Sequence, residues 1–185
     1  MELPVTAVCS HQRPPVNTEI SGLTVISFLV TSVERIQLVA TGHKWIGYGV
    51  GSFFSVTQNL LDSAVNELAL TVYIITDEEI VESVRNALDR GVSAHIFIND
   101  RPGQKTKETP KVISLGEEYS QLRIHLIKEN VLHAKVLVAD AQKVLLGSAN
   151  PTFQGMVTNY EMGVLIESGK IAQKVLSLLH KLSAG

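Results

Sequence analysis

The chain has 185 residues, of which 45% are hydrophobic and 18% are charged, and its formal net charge is −2. This length favours a single domain whose core is large enough to fold without disulfides. The composition excludes disordered, collagen-like and repeat proteins, and the net charge argues against a uniformly basic nucleic-acid-binding coat, although not against a local basic groove.

The cysteine count and the N-terminal region bear on the compartment. Cys9 is the only cysteine, so the chain forms neither an internal disulfide nor a cysteine zinc site. We expect a cytoplasmic protein, although a cysteine-poor periplasmic protein would have the same composition. The apolar stretch over residues 20–33 is too short to span a bilayer. We interpret it as a buried helix rather than a signal peptide. Glu2 precedes any basic residue, and Pro14 and Pro15 lie where the charged N-terminal region of a signal peptide would pass into its apolar segment.

The first half of the chain predicts helices and strands in alternation. Capping-box spacing predicts that helices start at Ser55 and at Thr76, and Gly91 is positioned to end the second helix. In chain order, the pattern predicts a helix over 18–39, a loop over 41–54, a helix from 55, a strand over 68–75, a helix over 76–91, a strand over 92–98 and a polar loop over 99–109.

Strand-like runs cluster in the second half. Thr109 followed by Pro110 is typical of a helix N-terminus, and this short helix is predicted to end near residue 122. The remaining pattern predicts strands over 123–128, 131–139, 143–147 and 158–166, and a closing helix over 169–182. This order indicates an α/β fold with a mixed β-sheet layered with helices on both faces. We expect residues 1–54 to form an N-terminal helical and loop extension of the main domain, 55–185, within one compact domain overall.

The segment HAKVLVADAQKVLLGSAN, which begins at His133, carries the candidate chemistry. His133 and Lys135 are two residues apart on a predicted strand, so their side chains share a face. Ser148 and Asn150 are also two apart, just beyond the next strand, and a turn at residues 140–141 would bring all four groups to one end of the sheet. Their donors suit an anion with several oxygens, such as phosphate, beside which His133 is able to attack phosphorus or pass protons.

Two acidic residues have different predicted roles. Asp140 lies seven residues after His133 in a turn, where we expect it to bond backbone groups and fix the hairpin. Glu161 shares a face with Asn159 on a late strand and is the better carboxylate partner for His133, since such a partner sets the imidazole tautomer. No second histidine at metal-ligand spacing and no aspartate cluster accompany the segment. The spacing therefore favours chemistry without a metal or cofactor.

This segment resembles the HKD signature of the phospholipase D superfamily. At residue frequencies of roughly 5% each, a chance match to H-x-K-x4-D-x6-G-S-x-N is on the order of 10⁻⁶. The pattern is filled by His133, Lys135, Asp140, Gly147, Ser148 and Asn150, and Glu161 stands where the family places a downstream acid. The resemblance covers roughly two-thirds of the chain and implies an α/β/α sandwich in which 55–185 is the catalytic domain. The motif region also resembles the phospholipase D-like component of DISARM-type phage-defence systems.

The resemblance implies a mechanism and a homodimer. In the superfamily, one HKD histidine attacks the phosphodiester to form a phosphohistidine, and a second protonates the leaving oxygen and then activates water. This chain carries one motif, because His43 and Lys44 are adjacent rather than spaced and no G-S-x-N follows them. Two copies of His133 are therefore expected to meet across a two-fold axis, with their reactive nitrogens about 5–7 Å apart.

Three interpretations of the function and its substrate remain open. Short single-motif chains resemble bacterial nucleases, which favours nucleic acid, and DNA over RNA. The stretch 100–111 has two interpretations: it binds a phosphate backbone, or it is an ordinary solvated surface loop. Its basic residues are Arg101, Lys105, Lys107 and Lys111, against two acidic ones. The alternatives are a catalytically silent nucleic-acid- or phosphate-binding subunit that works with other defence-system proteins, and a lipid phosphodiesterase.

Residues outside the motif receive structural interpretations. His95 and His125 lie in predicted strands and are interpreted as satisfied core histidines. The segment 41–44 is interpreted as a turn, and Trp45 as part of the core. Gly147 either permits close backbone approach to phosphate or is a strand-end glycine. Because aromatic residues make up only 5% of the chain, no base-stacking platform is evident.

Overall fold

Within residues 34–99 and 109–183, the part of the chain that the computed structural model describes, eight strands form one mixed sheet. They are β1 (Arg35–Ala40), β2 (Gly51–Ser52), β3 (Glu67–Val72), β4 (Ser93–Asn99), β5 (Leu122–Ile127), β6 (Lys135–Ala139), β7 (Lys143–Gly147) and β8 (Met162–Glu167). Their order across the sheet is β2-β1-β8-β7-β6-β3-β4-β5. Strands β3, β4 and β5 are parallel, whereas β3, β6, β7, β8 and β1 pair antiparallel in that sequence.

Helices cover both faces of this sheet. They are α1 (Phe53–Ser63), α2 (Glu78–Asp89), α3 (Thr109–Glu118) and α4 (Gly169–His180), with a π-helical turn at Gln154–Thr158 and a 3₁₀ turn at Lys181–Ser183. The first three share one hydrophobic core, in which Leu61, Ile80 and Leu115 are fully buried. Helix α4 packs on the other face, near Phe97 and Val144. The predicted α/β fold with a mixed sheet between helices is confirmed.

The prediction of a helix over 18–39 is wrong in its last part. Arg35–Ala40 is strand β1, whose residues pair in register with β8, from Arg35 opposite Glu167 to Ala40 opposite Met162. The apolar spacing was compatible with a helix, but pairing with a distant strand overrides such local preference. The rest of the predicted helix lies outside the described residues, and so does most of the loop over 99–109. The division at residue 54 stays a prediction.

The predicted helix starts are near the observed ones but rest on different caps. Helix α1 begins at Phe53, before the predicted cap Ser55. Helix α2 is capped by Asp77 rather than Thr76, because the Asp77 carboxylate accepts a hydrogen bond of 3.1 Å from the backbone amide of Ile80. A carboxylate satisfies an unpaired amide at a helix N-terminus and also complements the helix dipole.

One edge of the sheet collects the segments that carry the motif. The carboxyl ends of parallel strands β3 and β4 lie at the same edge, and β6, antiparallel to β3, begins there. The alternation continues through β7, β8 and β1, with Lys135 opposite Gly147, Gly147 opposite Gly163 and Ala40 opposite Met162. We call this the site edge, defined by Ala40, Lys135, Gly147 and Met162.

Three histidines cluster on the sheet face that carries α4. His95 Nδ1 and His125 Nε2 are 3.1 Å apart, and the ring of His180 lies edge-on to that of His95 at 5.5 Å. The His125 ring stacks on Phe97 with centroids 4.5 Å apart. His95 and His125 are half-buried and satisfied by each other, which agrees with their interpretation as structural histidines.

Protonation of His95 and His125 is unfavourable in the folded protein. Burial, then the charges of His180 and Arg123, lowers the pKa of His95, and Glu67 opposes that shift. Burial, then the charges of His95, His180 and Arg123, lowers the pKa of His125. A histidine whose folded pKa lies below its unfolded value of about 6.5 contributes stability above that pH, and this stability is lost as the pH falls towards the folded pKa.

We therefore expect the melting temperature to fall between pH 7.5 and pH 5.5, and to fall less in a His95→Leu/His125→Phe double variant. The leucine removes one titrating group, and the phenylalanine keeps a ring against Phe97. Thermal melts followed by circular dichroism at both pH values measure the difference. Equal pH sensitivity in the double variant and the unmodified protein would show that the cluster does not titrate in this range.

Candidate active site

His133 lies in the irregular segment just before β6, not on the strand. The predicted strand over 131–139 begins only at Lys135, so strand alternation does not set the direction of the imidazole. The side chain of His133 is exposed at the site edge. Lys135 Nζ turns back and donates a hydrogen bond of 2.7 Å to the backbone carbonyl of His133.

Hydrogen bonds hold the backbone on both sides of His133. The amide of Leu132 donates to Asn99 Oδ1 at 3.0 Å, and Thr71 Oγ1 donates to the carbonyl of Ala134 at 2.7 Å. Asn99 ends β4 and Thr71 lies near the end of β3, so two neighbouring strands fix the segment that carries the imidazole. The sequence analysis missed both residues, since their use depends on the pairing of β3 with β6.

Tyr73 connects the imidazole with the ammonium group. Its ring lies edge-on to that of His133, with centroids 5.2 Å apart, and Lys135 Nζ lies 5.7 Å from the Tyr73 ring centroid. Burial lowers the pKa of Lys135, while the negative charge of Glu161 acts in the opposite direction. Tyr73 is not predicted as a site residue from the sequence, because it lies inside the predicted strand over 68–75, whereas the observed strand β3 ends at Val72.

Ser148 and Glu161 are joined across the ends of β7 and β8. Ser148 Oγ donates a short hydrogen bond to Glu161 Oε2 and accepts one of 3.2 Å from the amide of Met162. Asn159 Nδ2 donates to Glu161 Oε1 at 3.2 Å, although both residues precede strand β8, which begins at Met162 and not at the predicted residue 158. The carboxylate thus bonds Ser148 and Asn159, and its pairing with His133 stays a prediction.

Asn150 and Gly147 are held by tight backbone contacts. A Cβ at Gly147 would collide with the ring of Phe53, and a Cβ at Gly155 would collide with the backbone of Asn150. The close approach that Gly147 permits is therefore that of a core side chain. Among the described residues, Asn150 Oδ1 is a buried side-chain oxygen without a hydrogen-bond partner.

Asp140 fastens the β6–β7 turn to the start of β3. Its carboxylate accepts hydrogen bonds from the amides of Val65, Asn66 and Glu67 at 3.1, 2.7 and 3.1 Å. Burial acts to raise the pKa of Asp140, but these amides outweigh it and lower the pKa. The residue thus bonds backbone groups, and those groups belong to the connection between α1 and β3 rather than to its own hairpin.

Asp140→Asn is expected to lower the free energy of unfolding by about 1–3 kcal/mol at pH 7. Asparagine tolerates the left-handed backbone of Asp140, where φ is 52°, so the change isolates the loss of the charged acceptor. Because a carboxylate with a lowered pKa stabilises only above that pKa, the deficit should shrink as the pH falls below about 4. Urea unfolding measures it, with exposed Asp62→Asn as the control of equal charge change. Equal losses in both variants would contradict the prediction.

The structure describes only the end of the basic stretch 100–111 that follows β4. Arg101, Lys105 and Lys107 lie outside the described residues. Lys111, near the start of α3, has its Nζ 2.5 Å from Glu78 Oε1 on α2. This ammonium is therefore engaged in an exposed ion pair, and a role for it in binding a phosphate backbone stays a prediction.

The site edge offers an imidazole, an ammonium, a hydroxyl, an amide and a carboxylate. These groups are able to bind a multi-oxygen anion, attack phosphorus and move protons. Over residues 34–99 and 109–183, no group of three or more histidine, cysteine, aspartate or glutamate side chains is arranged to hold a metal ion. In the same two ranges, no helix has the length and hydropathy needed to cross a membrane.

Comparison with known proteins agrees with this geometry. The family described as "Cardiolipin synthase, PLD-like domain" matches residues 58–182, a range that contains the whole motif. A curated relative is the DISARM protein DrmC of Bacillus paralicheniformis, which is 28% identical over 144 residues. That alignment covers 75% of this chain and 59% of the relative, so the chain spans less than two-thirds of the relative's length.

Solved structures share the fold at low sequence identity. NucT from Helicobacter pylori has a TM-score of 0.66 and 19% identity, and the match covers 80% of this chain and 95% of that one. Nuc from Salmonella typhimurium, a phospholipase D family member, has a TM-score of 0.65 and 20% identity, with 80% and 93% covered. These likenesses establish the architecture around the motif.

Proposed function

This chain belongs to the PLD-like domain family of the phospholipase D superfamily, and on that premise we propose that it is a metal-independent phosphodiesterase that cleaves nucleic acid in a homodimeric site. The observation that carries the proposal is a complete motif that occurs once, with its imidazole exposed at the site edge on a fixed backbone. Half of a two-histidine site is present in each copy.

The proposed reaction has two displacement steps. A ring nitrogen of His133 attacks phosphorus, the N–P bond forms, and the bond from phosphorus to the leaving oxygen breaks as the partner's His133 donates a proton to that oxygen. Water then attacks phosphorus, the N–P bond breaks, and the partner's His133 takes the proton that the water loses. Lys135 and Asn150 are proposed to neutralise and orient the phosphate oxygens, and the Ser148–Glu161 pair to hold this edge in place.

Nucleic acid is favoured over lipid by the extent of the structural matches. This chain matches more than nine-tenths of two short solved structures of the fold. Lipid-cleaving members of the superfamily typically carry two motifs in a longer chain, whereas short single-motif chains resemble bacterial nucleases. We propose DNA rather than RNA as the substrate. Strand β4 ends at the site edge, and Arg101, Lys105 and Lys107 follow it in the sequence, which supports a proposed role for them in binding the phosphate backbone.

Two other functions each have one supporting observation. The DISARM protein among the relatives favours a nucleic-acid- or phosphate-binding subunit that acts with defence-system proteins and does not turn over. The family description, which names cardiolipin synthase, favours a lipid phosphodiesterase. These functions predict different products and are separated by a single set of assays.

The test is a cleavage assay of the purified protein in excess chelator. We expect labelled single-stranded or duplex DNA to be cut at an unchanged rate when the chelator is added, and light scattering to show a dimer. Tight DNA binding without cleavage would support the binding subunit instead. Release of a head group from phospholipid vesicles, with DNA left intact, would support the lipid phosphodiesterase. A rate abolished by the chelator would contradict the metal-independent mechanism.

A further inference from the structure

Three exposed rings form a cluster beside the site edge, on the β1–β8 side. We define the aromatic cluster as His43, Trp45 and Tyr160. The Trp45 and Tyr160 rings meet edge-to-face at 4.9 Å, and those of His43 and Tyr160 lie 5.8 Å apart. Trp45 is 37% exposed and Tyr160 46% exposed, so the interpretation of Trp45 as a core residue is wrong.

The backbone beneath the aromatic cluster is fixed. Buried Thr41 donates its amide to the carbonyl of Glu161 at 2.9 Å and its hydroxyl to the carbonyl of Asn159 at 2.7 Å. Gly42 has a φ of 100°, and a Cβ there would collide with the Tyr160 ring. The predicted turn over 41–44 therefore exists, and it holds aromatic side chains at the surface. Such preorganisation lowers the entropy that is lost when a ligand binds.

The position of the aromatic cluster links it to the candidate active site. Tyr160 immediately precedes Glu161, whose carboxylate bonds Ser148. Strands β1 and β6 are three strand spacings apart, about 14 Å. Even at the rise of about 3.4 Å per nucleotide that a strand has in duplex DNA, roughly four nucleotides cover this separation, so a short single strand is long enough to reach from β1 to β6.

We propose that the aromatic cluster is a base-stacking subsite for single-stranded nucleic acid, whose backbone continues into the candidate active site. The inference rests on the proposed function for its substrate class. Aromatic faces stack on unpaired bases regardless of sequence, whereas the bases of a duplex already stack on each other. His43 and Lys44 lie in the same turn and are able to contact a backbone phosphate.

The only tryptophan of the chain belongs to the cluster, so its fluorescence reports stacking directly. Full-length His133→Ala protein, chosen so that the ligand is not cut, is titrated with a single-stranded oligothymidylate about twelve nucleotides long. We expect strong quenching by this oligomer, and weak quenching by an abasic strand of the same length and charge. Fluorescence anisotropy should show that adding Trp45→Ala weakens binding of the oligothymidylate roughly ten-fold.

Two further variants make the comparison specific. Trp45→Phe keeps a ring and should restore most of the affinity that Trp45→Ala loses. Tyr48→Ala, in the same loop but at an 82% exposed residue outside the cluster, should leave the Kd unchanged. If Trp45→Ala and Tyr48→Ala have equal Kd values, or if the abasic strand quenches as strongly as the oligothymidylate, the subsite does not exist.

The outcomes for the subsite and for the proposed function are separable. Base-dependent quenching in a protein that never cuts DNA would uphold the subsite and contradict the phosphodiesterase. Cleavage by unmodified protein, together with unchanged DNA affinity in Trp45→Ala, would do the reverse. Light scattering provides a last check, because conversion of Trp45→Ala to a monomer would assign the cluster to a contact between subunits and overturn the inference.

Discussion

His133→Ala is expected to reduce phosphodiester cleavage by roughly 10⁴-fold or more, because in the proposed mechanism the same imidazole serves as nucleophile in one copy and as proton carrier in the other. The substitution should leave the fold intact. His133 is exposed, its backbone is held by Asn99 and Thr71, and the ring contact that is lost is the one with Tyr73. Cleavage rates and circular dichroism melts of the variant test both expectations.

Mixed dimers provide a sharper form of this test. When unmodified and His133→Ala chains are refolded together in equal amounts, half of the dimers carry only one copy of His133. Such dimers are expected to catalyse neither step efficiently. Total activity should then fall to about a quarter of that of the unmodified dimer, since only dimers with two imidazoles work. A fall to one half would mean that each copy acts alone. Full cleavage by the pure variant would remove His133 from the mechanism.

Lys135→Ala is expected to lower kcat by about 10²–10³, because it removes the positive charge that is proposed to stabilise the developing charge on phosphate. The matched control is Lys174→Ala, which removes an exposed ammonium from α4 on the opposite face of the sheet and should leave kcat unchanged. Steady-state kinetics on one DNA substrate compare the three proteins. A Lys135→Ala rate equal to that of the control would place this ammonium outside the site.

The pH profile adds a second readout for Lys135. Burial lowers the pKa of Lys135, so its ammonium begins to deprotonate at a lower pH than an ordinary lysine, whose pKa is about 10.4. Since the cation is the active form, kcat/KM of the unmodified protein should decline on the alkaline side of its profile. That decline should be absent in Lys135→Ala, while the acidic side of the profile should remain.

The parts of the fold and site that the sequence predicted well are those built from neighbours in the chain. Strand β7 was predicted with its observed bounds, and its hairpin with β6 turns through residues 140–142, of which Asp140 and Ala141 have positive φ. Local geometry of this kind is encoded within a few residues. The same holds for the pairing of Lys135 with Gly147, which brings the two ends of the motif together.

The errors and omissions occur where distant segments meet. Strand β1 was predicted as a helix because β8, the strand with which it pairs, lies more than 120 residues away in the sequence. Thr71 and Tyr73 were overlooked because they reach His133 only after β3 pairs with β6. The contact between Trp45 and Tyr160 likewise depends on the loop after β1 lying beside the start of β8.

The sequence by itself thus determined the α/β class, the β6–β7 hairpin and the groups available for phosphodiester chemistry, because periodicity and spacing act over short lengths of chain. Only the tertiary structure decided how His133 is held, that Glu161 bonds Ser148, and that three aromatic rings gather beside the site. The physical reason is that these contacts form between strands whose order in the sheet is set by long-range pairing and by burial of the common core, and no local pattern encodes that order.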